Sequence, residues 1–172
     1  MIFRSLSIGY KVCDSGELKG NLMNRNEEFY TLKGYQIQEG GELTTAMEDY
    51  LEMICRLTEE EETVRVGELS RRLHVKPSSV TKMLQQLDHT GYIRAEKYGF
   101  VHLTEKGREA GRYLLYRHRV IEGFLCVLNR SQDQLEQAEK IEHFLDRQTV
   151  ENLDVLTGLL KDEKGPWQVL SS

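Results

Sequence analysis

The chain has 172 residues, 39% hydrophobic and 30% charged, with a formal net charge of −5. That is enough sequence to bury a core in one domain or two small ones. No apolar run approaches the ~20 residues needed to cross a bilayer, and the N-terminus makes a poor signal peptide, so the expectation is a soluble, cytoplasmic protein. The three cysteines, Cys13, Cys55 and Cys126, have no paired spacing, which argues against a zinc knuckle or a disulfide framework. The charge is unevenly spread. From Arg65 to Arg119 there are 12 Lys plus Arg against 5 Asp plus Glu, and the remainder holds 11 against 23. Such asymmetry suggests a basic binding face on one part and acidic work elsewhere.

Residues 1–42 are polar and Gly-rich with scattered aromatics and read as an arm; Met23 offers an alternative start. A helix begins in "TTAMEDYLEMICRLTEEEE", where Thr45 and Glu48 have capping-box spacing and Met47, Leu51, Ile54 and Cys55 form an apolar stripe. A short helix follows from about Val66 to Leu73, then a turn at His74 to Lys76. Pro77 suits the first position of the next helix, Val80, Met83, Leu84 and Leu87 supply its apolar face, and Gly91 stops it. Two helices joined by a tight turn make a helix-turn-helix. The segment "YIRAEKYGFVHLT" then reads as two short strands around Tyr98 and Gly99, with Ile93, Ala95 and Lys97 alternating. A hairpin in that place is a wing. Thr104 caps a long helix, Ser131 with Gln134 has the spacing to open another, and Thr149 the last.

In a helix-turn-helix the second helix enters the major groove, N-terminal residues first. Here those are Lys76, Pro77, Ser78, Ser79, Thr81 and Lys82, with Gln85 one turn on. Hydroxyls and the amide suit base edges or phosphates, and lysines neutralise phosphate. Arg65, Arg71, Arg72 and Arg94, with Lys97 and Tyr98 in the wing, extend the same face. The competing reading of these residues is a solvated basic surface. Acidic and imidazole side chains recur on three helices: Asp49 and Glu52, then His118, then Glu139, Glu142 and His143. In "AEKIEHFLD" the last three have i, i+3 and i, i+4 spacing, which places them on one helical face. Each group alone is most simply solvated surface. Together they match the oxygen and imidazole donors of a hard divalent cation, one ion or two.

The stretches "TTAMEDYLEMI", "VKPSSVTKMLQQLDHTGYIRAEKYG", "LTEKG", "YRH" and "EKIEHFL" closely resemble the manganese transport regulators. These are the two-domain branch of the diphtheria-toxin-repressor family of metal-dependent transcription factors. The resemblance covers about residues 43–160. It implies a mostly α fold: a winged helix-turn-helix over 43–110, a helical metal-binding and dimerisation domain over 111–165, and a tail over 166–172. It also implies a homodimer that Mn²⁺ activates to bind a palindromic DNA operator and repress manganese-uptake genes, with no organic cofactor. Carried over residue by residue, the family's ligands fall on Asp49, Glu52, His118, Glu139, Glu142 and His143. Glu139 and Glu142 are then the bridging carboxylates and His143 a terminal ligand. The iron-responsive branch has methionine and cysteine at the positions of Asp49 and Glu139, so oxygen at both favours Mn²⁺, with Fe²⁺, Zn²⁺, Co²⁺ or Cd²⁺ as substitutes in vitro. Phe144 stands where some relatives carry a second histidine. After Leu160 only "KDEKGPWQVLSS" remains, too little for the SH3-like domain of three-domain members. An Fe²⁺- or Zn²⁺-responsive repressor is the nearest alternative. A metallohydrolase lacks any nucleophile motif and leaves the wing unexplained. A third reading is a metal-independent winged-helix regulator that senses an organic ligand, which calorimetry with Mn²⁺ would discriminate.

Overall fold

The computed structural model describes residues 42–59, 63–96 and 99–161. Helix α1 (Thr45–Thr58) starts one residue before the expected cap: the Thr44 hydroxyl accepts from the Met47 N–H at 3.3 Å. Glu48 does not complete a capping box, because its carboxylate is taken by charged donors, which bind it more strongly than a backbone N–H does. The expected stripe is buried, with Leu51 and Ile54 fully so. A two-residue strand, β1 (Val64–Arg65), runs straight into α2 (Val66–Arg72), which buries Leu69. His74 turns the chain at a φ of 53°, and the Ser70 hydroxyl donates to the Val75 carbonyl at 2.6 Å across the turn. Helix α3 (Pro77–His89) has Pro77 in its first turn and buries Val80, Leu84 and Leu87. Gly91, at a φ of 77°, makes the left-handed stop that a side chain would strain.

Strands β2 (Ile93–Ala95) and β3 (Phe100–Leu103) pair antiparallel, and β1 adds to the other edge of β3. The expected alternation fades after Ile93, since Ala95 is exposed at the tip of the wing. An Asp88 carboxylate oxygen accepts from the Ala95 N–H at 3.0 Å and ties the wing to α3. Thr104 caps α4 (Glu105–Asn129), accepting from the Gly107 N–H at 3.0 Å. Helix α5 (Leu135–Ile141) is followed by a single 3₁₀ turn over Glu142–Phe144, then by α6 (Arg147–Lys161).

Two further caps differ from the sequence reading. Ser131 closes a local turn with Asp133, whose carboxylate accepts from the Leu135 N–H at 3.1 Å, while Gln134 is engaged by Asn129. Asp146, not Thr149, opens α6: its carboxylate accepts from the Thr149 N–H at 2.7 Å.

Two apolar clusters result. One joins α1, α2, α3, the wing and the start of α4, from Met47 to Leu114; the other holds Val120, Ile121, Leu125, Ala138 and Val150. Helix α4 runs through both. A Cβ at Gly111 would lie 2.8 Å from Cys55, so this glycine lets α4 pass close to α1. Two turns further on, the same helix delivers His118 beside Glu52. No helix among the described residues is long and apolar enough to cross a membrane.

Candidate metal centre and nucleic-acid surface

Side chains from four elements meet in one cluster. Helix α1 contributes Glu48, Asp49 and Glu52; α4 contributes Arg117, His118 and Glu122; α5 and the 3₁₀ turn contribute Glu139, Glu142 and His143. The spacing in "AEKIEHFLD" implied one continuous helical face. Instead the α-helix ends at Ile141, and Glu142 and His143 sit on the tighter turn. Glu142 is thereby driven inward, to 1% exposure.

The contacts form a connected network. Nδ1 of His118 lies 2.9 Å from Glu142, 3.9 Å from Glu52 and 3.8 Å from Glu139. Its Nε2 faces Glu122 at 3.7 Å. Nε2 of His143 lies 3.0 Å from Asp49 and 3.6 Å from Glu142. Nδ1 of His143 lies 2.8 Å from Glu48. Ligand atoms of Glu52, His118 and Glu142 all fall within 4.8 Å of one another. Asp49 joins the network through His143 and Glu139 through His118, and both are about half exposed.

The sequence reading missed three members. Glu48 and Arg117 pair at 2.8 Å, with Arg117 almost fully buried and its Nε without a hydrogen-bond partner. Glu122 lies i+4 from His118, the one local signal available. The Glu48 carboxylate holds Nδ1 of His143, leaving Nε2 directed at Asp49 and Glu142, the arrangement by which an outer carboxylate orients an imidazole ligand.

The electrostatics are those of crowded acid. Burial, then the neighbouring Glu142 charge, push the Glu52 carboxyl above its usual range against the pull of Arg56 and His118. Burial and Glu142 do the same to Glu139. The hydrogen bond with Glu142 raises His118 despite burial. Burial works to lower His143, but its hydrogen bonds to Asp49 and Glu48 outweigh it and lift the imidazole to about 9. For Glu48 burial works upward, and His143 and Arg117 overcome it, leaving the carboxyl below its usual range. Six carboxylates thus face two guanidiniums and two imidazoles. Buried charge without enough counter-charge is costly, and the all-oxygen and nitrogen donor set fits a hard or borderline divalent cation.

Lys76, Pro77, Ser78, Ser79, Thr81, Lys82 and Gln85 are all exposed along the start of α3. The Thr81 hydroxyl donates back to the Pro77 carbonyl at 3.0 Å. Arg65 caps the junction of β1 and α2 and stacks its guanidinium 4.7 Å from the Phe100 ring, at the base of the wing. Lys97 and Tyr98 lie outside the described residues.

Residues 42–101 match the family described as iron dependent repressor, N-terminal DNA binding domain. Residues 104–164 match iron dependent repressor, metal binding and dimerisation domain. Among curated proteins, the chain is 38% identical over 130 residues to the HTH-type transcriptional regulator MntR of Bacillus velezensis, covering 75% of this chain and 92% of that protein. It is 41% identical over 123 residues to the MntR of Geobacillus kaustophilus, covering 70% and 87%. Among solved structures it superposes on the manganese regulator SloR with a TM-score of 0.59 at 31% identity, covering 67% of this chain and 55% of that one. It superposes on ScaR with bound Zn²⁺ with a TM-score of 0.55 at 29% identity, covering 65% and 53%. The chain therefore spans about half the length of those two solved proteins.

Proposed function

The chain belongs to the iron dependent repressor family of metal-dependent transcription regulators, and from that premise we propose that it is a Mn²⁺-activated repressor of manganese-uptake genes. It works in the cytoplasm as a homodimer on a palindromic operator. The family and its curated relatives are regulators rather than enzymes, so the hydrolase reading is set aside. In this reading residues 43–110 bind DNA, 111–165 bind metal and dimerise, and 1–42 and 166–172 are arm and tail.

The observation that carries the proposal is the joining of α1 to the 3₁₀ turn through carboxylates and imidazoles that contact one another within 3.9 Å. Asp49, Glu52, His118, Glu139, Glu142 and His143 are the proposed ligands and would hold one ion or two. A bound divalent cation supplies the positive charge that lets these carboxylates stay together. Asp49 and Glu52 then fix α1, and α1 fixes α3 through their shared core. The two α3 helices of the dimer are thereby restricted to successive major grooves, about 34 Å apart. Metal acts by favouring that arrangement over others. Lys76, Ser78, Ser79, Thr81, Lys82 and Gln85 meet the groove, with Pro77 setting the helix start and Arg65 meeting the backbone.

Support for Mn²⁺ comes from the donor types and from SloR, a manganese regulator. The second reading is an Fe²⁺- or Zn²⁺-responsive repressor, favoured by the iron in the family's description and by the relative holding Zn²⁺. Val155, Leu156 and Leu159 of α6, with Leu128 of α4, leave apolar side chains in solvent; large exposed apolar side chains of this kind suit a subunit interface. Calorimetry of Mn²⁺ against chelator-stripped protein tests the metal assignment. Binding is expected in the wild type and its loss in Glu142→Ala, with the helical signal of that variant unchanged. Undiminished binding by Glu142→Ala would sink the assignment.

A further inference from the structure

One guanidinium enters the acidic cluster from α1 itself. Arg56 lies one helical turn after Glu52 and donates to its Oε1. Most i, i+4 ion pairs join two exposed groups and contribute little. Here the donor side chain is 37% exposed but the acceptor only 7%. The same Glu52 oxygen faces His118, and Glu52 is one of the three residues whose ligand atoms cluster with His118 and Glu142. The Arg56 charge is felt beyond its partner: it works to lower both the Glu139 carboxyl and the His118 imidazole. On its other side Arg56 lines a cleft with Met53, Leu57, Arg71, Arg72 and His74. Arg71 and Arg72 share one carboxylate there, that of Glu68, at 3.2 and 3.8 Å. That side offers Arg56 no carboxylate among the described residues lining the cleft, whereas Glu52 offers one.

We propose that Arg56 is a resident counter-cation that competes with the metal for Glu52 and so raises the metal concentration at which the protein responds. The proposal rests on the reading of Glu52, His118 and Glu142 as metal ligands. Without metal, Arg56 neutralises part of the acid that Glu52 brings against His118 of α4. A divalent cation at the same carboxylate shares that oxygen with a like charge. The repulsion weakens its binding, and by reciprocity the cation loosens Arg56.

The test is Mn²⁺ calorimetry on the full chain, chelator-stripped, near neutral pH and at fixed salt, for wild type, Arg56→Gln, Arg56→Lys and Arg71→Gln. Each is also melted in excess chelator. Arg56→Gln is expected to bind Mn²⁺ about tenfold tighter, one nearby charge having been removed under partial solvent screening. The number of ions stays the same, and the metal-free form melts at a lower temperature. Arg56→Lys retains the charge and stays within about threefold of the wild type. Equal or weaker Mn²⁺ affinity in Arg56→Gln overturns the proposal. So does an equal tightening in Arg71→Gln, which leaves Glu52 untouched and would show only a general surface-charge effect. If the wild type bound no Mn²⁺, the ligand assignment would fall with the proposal. If binding persists and is lost in Glu142→Ala, the ligand assignment stands whatever Arg56 does.

Discussion

Among the described residues, sixteen apolar side chains from Met47 to Leu114 are buried in one cluster, while the cluster from Val120 to Val150 has five. The second region buries more charge than the first: Glu142, His118 and Arg117 against Glu52, among the described residues. It also leaves Leu128, Leu135, Phe144, Val155, Leu156 and Leu159 between 42% and 62% exposed. A region that hides carboxylates and shows leucines is completed by something else. In the proposed function cations answer the carboxylates, and a second copy answers the leucines. The winged region has the larger apolar core, so in the proposed function it keeps its shape and presents α3 with or without metal. What metal changes, in that proposal, is where that helix is held.

Core truncations separate the two regions most strongly. Ile54→Ala is expected to cost about 2–5 kcal/mol, the range for deleting a fully buried aliphatic side chain. Urea melts should give the same value at low and high protein concentration. Ile121→Ala, 1% exposed in the smaller cluster, is expected near the lower end, about 2 kcal/mol. Its apparent cost should vary with protein concentration, because folding there is linked to assembly. Identical, concentration-independent costs would break the contrast.

Leu159→Glu attacks the exposed apolar face. Sedimentation should show the dimer dissociation constant raised by about tenfold or more, with helical content retained. An unchanged dimer would move the interface elsewhere on the second region.

The pH response of the metal-free protein comes next. His143 has a folded value of about 9 against an ordinary 6.5, so the charged form is favoured by folding. That stability is fully present below pH 6.5 and is lost as pH rises towards about 9. Melting in chelator should therefore fall over that window, and His143→Gln should flatten the fall. A melting temperature that rises over the same window in the wild type contradicts the network of Glu48, Asp49 and His143. The smallest effect belongs to α3: Lys82→Gln should lower the slope of log affinity against log salt by about 1. An unchanged slope would take Lys82 off the phosphate backbone.

The winged region was largely legible in the sequence because its signals are local. The stripe of Met47, Leu51, Ile54 and Cys55, the Pro77 start and the Gly91 stop each lie within a turn or two of what they determine. Strand β1 was not legible, since two residues carry no alternation and its register, Val64 opposite Val101, is set across the chain. The caps slipped by one to three residues wherever several hydroxyls and carboxylates compete. The six ligand-type side chains were readable as types in repeated spacing, but the break after Ile141 was not, because "AEKIEHFLD" keeps a helical period through it. Glu48 and Arg117 were invisible for a different reason. Their pairing is separated by 69 positions, and that of Glu48 with His143 by 95, so no local pattern announces either.

The most direct test of the coupling between the two regions is operator affinity as a function of Mn²⁺. An operator is selected from random duplexes in Mn²⁺, and affinity is then measured by fluorescence anisotropy at fixed salt, with Mn²⁺ and with excess chelator. The account predicts tightening on the order of 100-fold with Mn²⁺, within the usual span of allosteric coupling, and its loss in Glu142→Ala. Equal affinity in Mn²⁺ and in chelator would contradict it.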